Sequence, residues 1–333
     1  MRRFAFLMSM TLALMVPAFA SAAEPYGIGL EGFAYPYPVS MLGVPTEGEA
    51  LRMAYMDVKP SGPANGRTVL LLHGRNFPSS YWESTIQALT AAGYRVVVPD
   101  QIGFGKSSKP LFAISFDMLA RHTALLLDRL NLPRVDIVAH SMGGMLAVRF
   151  ARAYPARVDR LLLAAPIGLE DYRNFAPPVD TERLIATEDE LTADGYRRQL
   201  VTNYSLTLPP GDITPFIEAR MRIKDAADYP RWLRSFVNSY QMIYSQPVVY
   251  EIPQLAQPVL FIMGANDHNA PGRPFAPEAL RAKMGENAEL AKGLAARMTN
   301  AKVEVFAGIG HLVHLEAKDR FNTAMLSFLD SGR

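Results

Sequence analysis

Val138-Ala139-His140-Ser141-Met142-Gly143-Gly144 is the stretch on which the reading of this chain turns. A β-branched run at 135–139 precedes it and an amphipathic pattern at 142–154 follows, so the chain passes from strand to helix within a few residues. A serine at such a turn, flanked by small residues, fits a strained elbow that lifts its hydroxyl above a sheet, where a base can reach it. The first small position holds Ala139 rather than Gly, and a methyl group is the least addition possible there. The same residues also suit a serine capping an ordinary helix. The choice between nucleophile and cap therefore rests on what the rest of the chain places nearby.

Upstream, Leu71-Leu72-His73-Gly74-Arg75-Asn76-Phe77 ends an earlier strand in a His-Gly turn. Such a turn aims a backbone N–H, here that of Arg75, at the space above Ser141. With the N–H of Met142 at the start of the helix it makes a candidate oxyanion hole. His73 is expected to buttress the turn, while Arg75 and Asn76 are read as substrate contacts or as solvated side chains. Downstream, Phe261-Ile262-Met263-Gly264-Ala265-Asn266-Asp267 ends a strand in a carboxylate, and Gly308-Ile309-Gly310-His311 forms a loop after another. Both put reactive side chains at C-terminal strand ends, where sites in parallel sheets gather. Ser141, His311 and Asp267 are thus the candidate nucleophile, base and orienting acid. His314 competes with His311, and Glu170 and Asp171 compete with Asp267. His140 and His122 are read as packing or surface residues.

Short apolar runs at 51–58, 69–72, 94–98, 135–139, 161–164, 259–263 and 303–306 alternate with helical patterns at 81–92, 116–130, 142–154 and 316–329. That alternation predicts an α/β fold, a mostly parallel sheet covered by helices on both faces. The interval 172–250 lacks a strong strand and carries helical stretches with Tyr196, Tyr204, Trp232, Phe236 and Tyr240, which predicts an inserted helical cap between core segments 23–171 and 251–333. A second excursion, 269–300, separates the candidate acid from the candidate base. Residues 24–48, rich in Pro, Gly and Tyr, read as an irregular arm.

The Ser…Asp…His order, and the segment Val98-Pro99-Asp100-Gln101-Ile102-Gly103-Phe104-Gly105-Lys106-Ser107, resemble the α/β-hydrolase superfamily over nearly all of 23–333. The chain is most similar to its capped, single-domain branch of esterases, lactonases, C–C bond hydrolases and cofactor-free haloperoxidases. Ser141 where haloalkane dehalogenases and epoxide hydrolases carry a carboxylate argues against those activities. The resemblance implies hydrolysis of an ester, lactone or similar acyl bond of a small, partly apolar substrate through an acyl-enzyme, with no cofactor. C–C bond hydrolysis is the second reading, and a non-catalytic ligand-binding protein on the same fold is the rival from outside enzymology. A peptidase is disfavoured, because no acidic pair for an amino terminus stands out in the cap.

Composition bounds the alternatives. The 333 residues carry a formal charge of +2 and no cysteine, so disulfides, thiolate metal sites and thiol nucleophiles are excluded, and no cluster has metal-ligand spacing. The opening Arg2-Arg3, apolar run and Ala18-Phe19-Ala20-Ser21-Ala22-Ala23 read as a signal peptide over 1–22, cleaved after Ala20 or Ala22, which predicts a periplasmic or secreted protein. The run is shorter than the ~20 residues that span a bilayer. Losing two arginines and no acid leaves the mature chain formally neutral, so neither nucleic acid nor a stable membrane association is expected.

Overall fold

The computed structural model describes residues 25–46 and 48–331; the signal-peptide reading falls on residues outside these. Eight strands, β1 (Val39–Val44), β2 (Leu51–Val58), β3 (Thr68–Leu72), β4 (Arg95–Pro99), β5 (Val135–His140), β6 (Val158–Ala164), β7 (Val259–Gly264) and β8 (Ala301–Phe306), form one sheet. Their order is β1-β2-β4-β3-β5-β6-β7-β8. β1 and β2 run antiparallel, and every neighbouring pair from β4 to β8 is parallel.

The central strands show why the sheet is covered on both sides. β3, β5 and β7 are buried at every residue. Along β3, Leu70 and Leu72 join a core with the helices α2 (Phe116–Arg129) and α3 (Met142–Ala153). Val69 and Leu71 join the opposite core, with α1 (Glu83–Ala91) and the last helix (Lys318–Asp330). Successive side chains of a strand point to opposite faces, so continuous apolar runs must serve two layers. The start of α2 is fixed locally, by the Ser115 side chain accepting from the Met118 N–H.

Strand β1 corrects the reading of 24–48 as wholly irregular. Val39 pairs opposite Met56 and Val44 opposite Leu51, and most β1 side chains are at least partly exposed. An edge strand of this kind buries little, so its sequence carries no strong apolar alternation. The preceding residues do form an arm, which packs Leu30 into the core of the helical region and sends the Tyr35 hydroxyl to Asp100 Oδ2 at 2.6 Å.

Between β6 and β7 lie four helices, α4 (Thr181–Asp189), α5 (Ala193–Tyr204), α6 (Pro210–Ile223) and α7 (Tyr229–Ser245). They bury Leu184, Ile223, Trp232, Leu233, Phe236 and Val237 against one another and against Leu30. The excursion after β7 forms two short helices, α8 (Glu278–Arg281) and α9 (Asn287–Ala295). No helix among the described residues is long and apolar enough to cross a membrane. Chain order is completed by α10 (Val313–Glu316) and α11 (Lys318–Asp330).

Candidate active site

The residue linking β5 to α3 is Ser141, with φ 56° and ψ −120°, a positive-φ backbone that L side chains rarely adopt. The turn is locked on both sides: Ser141 N–H donates to Ala164 O at 3.1 Å and Ile167 N–H to Ser141 O at 3.3 Å. A Cβ on Gly143 would lie 2.4 Å from Leu72 O, so only glycine lets α3 approach β3 this closely. The small residues around Ser141 are thus a steric requirement, and no side-chain bond caps the helix from this serine.

Ser141 Oγ lies 2.9 Å from His311 Nε2, and His311 Nδ1 lies 2.9 Å from Asp267 Oδ2. The Ser141 hydroxyl donates to Nε2 and Nδ1–H donates to the carboxylate, an alignment in which a proton can pass from Oγ to the imidazole. Asp267 is held in turn by the Asn269 N–H, which donates to its other oxygen at 2.9 Å. Gly264, at the end of β7, permits the approach of this loop, since a Cβ there would lie 2.0 Å from Gly310 O. All three side chains are buried.

The competing residues are engaged elsewhere. Asp171 pairs with Arg173 at 2.7 Å and accepts from the Tyr250 hydroxyl at 2.9 Å, while Glu170 accepts from the Gly285 N–H at 3.0 Å. His314 packs its ring 4.3 Å from that of Trp82, and burial pushes it down to about 3, so it is a neutral part of the core. His140 is buried and hydrogen-bonded: its Nε2–H donates to His311 O at 3.0 Å and its Nδ1 accepts from the Tyr81 hydroxyl at 3.0 Å. That hydroxyl also accepts from the Gly74 N–H at 2.9 Å. His140 therefore joins the 73–76 turn to the loop of the base. His73 braces the turn, with Nδ1 2.6 Å from Gly74 O and Nε2 accepting from Gln101 N–H.

A Cβ on Gly74 would lie 3.1 Å from Ser141 Cβ, so the turn passes directly over the serine. Among the described residues, neither the Arg75 nor the Met142 N–H is taken up by a turn or cap bond. Arg75 is not solvated. Its guanidinium stacks 3.7 Å from the Phe236 ring, donates to Ser239 Oγ at 2.9 Å and pairs with Glu188, which also meets Arg220. Burial alone would raise Glu188; Arg220 and Arg75 overcome it and hold the carboxyl below its usual range. Asn76 is also tied inward, donating to the Tyr204 hydroxyl at 2.6 Å.

Above Ser141 lies a cavity of about 260 Å³, lined among others by Arg75, Asn76, Leu184, Tyr204, Tyr240 and Phe275. Of the aromatic residues of the 172–250 insertion, Tyr204 and Tyr240 line this cavity, whereas Trp232 and Phe236 pack in the insertion's own core. Two participants are absent from the sequence-derived site. Asn269 Nδ2 lies 3.3 Å from His311 Nε2, and the His311 N–H donates to Tyr204 O at 2.8 Å. The backbone contact leaves no mark in side-chain chemistry, while Asn269 was visible as the second residue after a candidate carboxylate.

The family model described as the alpha/beta hydrolase fold matches residues 67–318. The chain belongs to that family. A 2-hydroxy-6-oxononadienedioate/2-hydroxy-6-oxononatrienedioate hydrolase of Burkholderia vietnamiensis is 29% identical over 86% of this chain and 94% of its own length. A hydrolase of the same description from Dechloromonas aromatica is 30% identical over 79% of this chain and 86% of its own. Among solved structures, a probable hydrolytic enzyme from Pseudomonas aeruginosa PAO1 superposes with a TM-score of 0.88 at 40% identity, covering 93% of this chain and 99% of that one.

Proposed function

We propose that the protein is a serine hydrolase that cleaves an ester, lactone or similar acyl bond of a small, partly apolar substrate. The observation that carries this reading is the unbroken line from Ser141 Oγ through His311 to Asp267, with both links at 2.9 Å, beneath a partly apolar cavity. His311 takes the Ser141 proton as Oγ attacks the substrate carbonyl. Asp267 holds the imidazole in the Nδ1–H tautomer and stabilises the imidazolium that forms. The Arg75 and Met142 N–H groups receive the oxyanion at the N-terminus of α3, where the helix dipole favours negative charge. His311 then returns its proton to the leaving group, and a water activated by the same ring releases the acyl group.

Multiple-turnover release of p-nitrophenol from short-chain esters tests the proposal. Sustained turnover that falls about 10⁴-fold or more in a folded Ser141→Ala protein supports it. A wild type that binds these esters without turning them over is instead a ligand-binding protein on a hydrolase fold. The second reading, hydrolysis of a carbon–carbon bond next to a ketone, is favoured by the activity for which the relatives above are named. Faster loss of a 2-hydroxy-6-oxo-dienoate chromophore than of any ester would select it.

A further inference from the structure

The excursion after β7 builds a second pocket of about 430 Å³ beside the cavity above Ser141. The two share Asn203, Asn269, Ala270 and Pro274, so they adjoin, an inner part over Ser141 and an outer part beside it. The outer part is lined by His268, Arg273 and Arg281 and by no carboxylate. Arg273 donates to His268 O at 3.3 Å and Arg281 to Ala276 O at 3.1 Å. Among the described residues neither guanidinium has an ion-pair partner. Of the nearby acids, Glu170 accepts from the Gly285 N–H and feels Arg273 only beyond ion-pair distance, and Glu286 lies 3.6 Å from His268 Nδ1. Thr202 and Asn203, at the end of α5, add neutral polar groups to the lining.

From this we infer that the outer pocket is an anion subsite, in which Arg273 and Arg281 hold a carboxylate at the far end of the substrate while the bond to be cleaved sits at Ser141. The inference rests on the hydrolase reading for the position of the scissile bond. The subsite itself rests on two guanidinium groups that line one pocket with no carboxylate at ion-pair distance among the described residues. Guanidinium groups are weakly hydrated donors in a planar fork, which suits them to carboxylates. Arg273 is half-buried and Arg281 exposed, which makes the effect modest and salt-sensitive.

The test compares mono-p-nitrophenyl glutarate with p-nitrophenyl valerate, which differ in the terminal carboxylate. Wild type is expected to prefer the glutarate in kcat/KM by about fivefold, a preference that shrinks in added salt. In Arg273→Gln/Arg281→Gln the preference should vanish through KM, with valerate turnover unchanged. Equal preference in wild type and the double variant overturns the proposal. A second measurement is independent of turnover: calorimetric titration of glutarate, and separately of inorganic phosphate, into Ser141→Ala. Glutarate binding that the double substitution abolishes supports the subsite even if every ester fails. Absence of glutarate binding, or tighter binding of phosphate, overturns a carboxylate site.

Discussion

The backbone N–H of His311 donates to the carbonyl of Tyr204 at 2.8 Å, which fastens the loop of the base to the last residue of α5. The Tyr204 ring also stands 4.5 Å from the His311 ring, and its hydroxyl accepts from Asn76 beside the 73–76 turn. One residue of the inserted helices thus touches both the loop of the base and the turn over Ser141.

Tyr204→Phe separates these contacts. The ring and the backbone bond to His311 remain, and only the bond from Asn76 is lost. The half-buried Asn76 amide then loses this acceptor, so the variant should be less stable by about 0.5–1.5 kcal/mol in denaturant unfolding. Turnover of a good ester should change by less than about tenfold at saturation. A loss as large as that of Ser141→Ala would show that the hydroxyl takes part in the chemistry.

Asp267→Asn keeps the size of the side chain but favours the wrong imidazole tautomer. In the serine-protease case of this change the loss is about 10⁴-fold in turnover, and a comparable loss is expected here. Asp171→Asn and Glu170→Gln should each cost less than about tenfold, since neither meets His311. Steady-state rates of the three variants on one activated ester, with circular dichroism as folding control, decide the matter. A severe loss in Asp171→Asn with a mild one in Asp267→Asn would move the role of the acid.

Burial holds His314 at about 3 and, aided by its histidine neighbours, His140 well below the ordinary value of about 6.5. Between the native and unfolded values the unfolded chain binds the protons, so stability is full above pH 6.5 and is lost as pH falls toward 3. His314 should by itself cost about 1.5–2 kcal/mol between pH 6.5 and pH 5, and His140 adds a loss of the same sign. His314→Leu, which removes a ring without hydrogen-bond partners, should flatten the decline in that interval. Urea midpoints for both proteins at several pH values check this, and equal slopes would refute it.

We also propose that the chain is exported and cut after Ala20 or Ala22, on the basis of Arg2-Arg3, the apolar run and the small residues before Glu24. N-terminal sequencing of protein recovered from the periplasm or medium should begin at Ser21 or Ala23. Active, soluble cytoplasmic protein that still begins at Met1 would contradict it.

What this chain states locally was legible from β2 onward. The seven apolar runs became β2 to β8 because strand and helix periods are written in neighbouring residues, and the small residues around Ser141 marked the strained turn between β5 and α3. The α/β fold followed from that alternation. β1 was not legible, because an exposed edge strand is held by backbone bonds to β2 that any side chains permit. Ser141, Asp267 and His311 could be nominated from their turns, but His311 lies 170 residues from Ser141, and only the packing of β5, β7 and β8 into one sheet brings their loops within hydrogen-bond reach. The same holds for Arg75, whose sequence neighbours say nothing of Glu188, Arg220 or Phe236. Local periodicity depends on residues a few positions apart; the walls of the cavity are made by contacts between distant segments, which only tertiary packing decides.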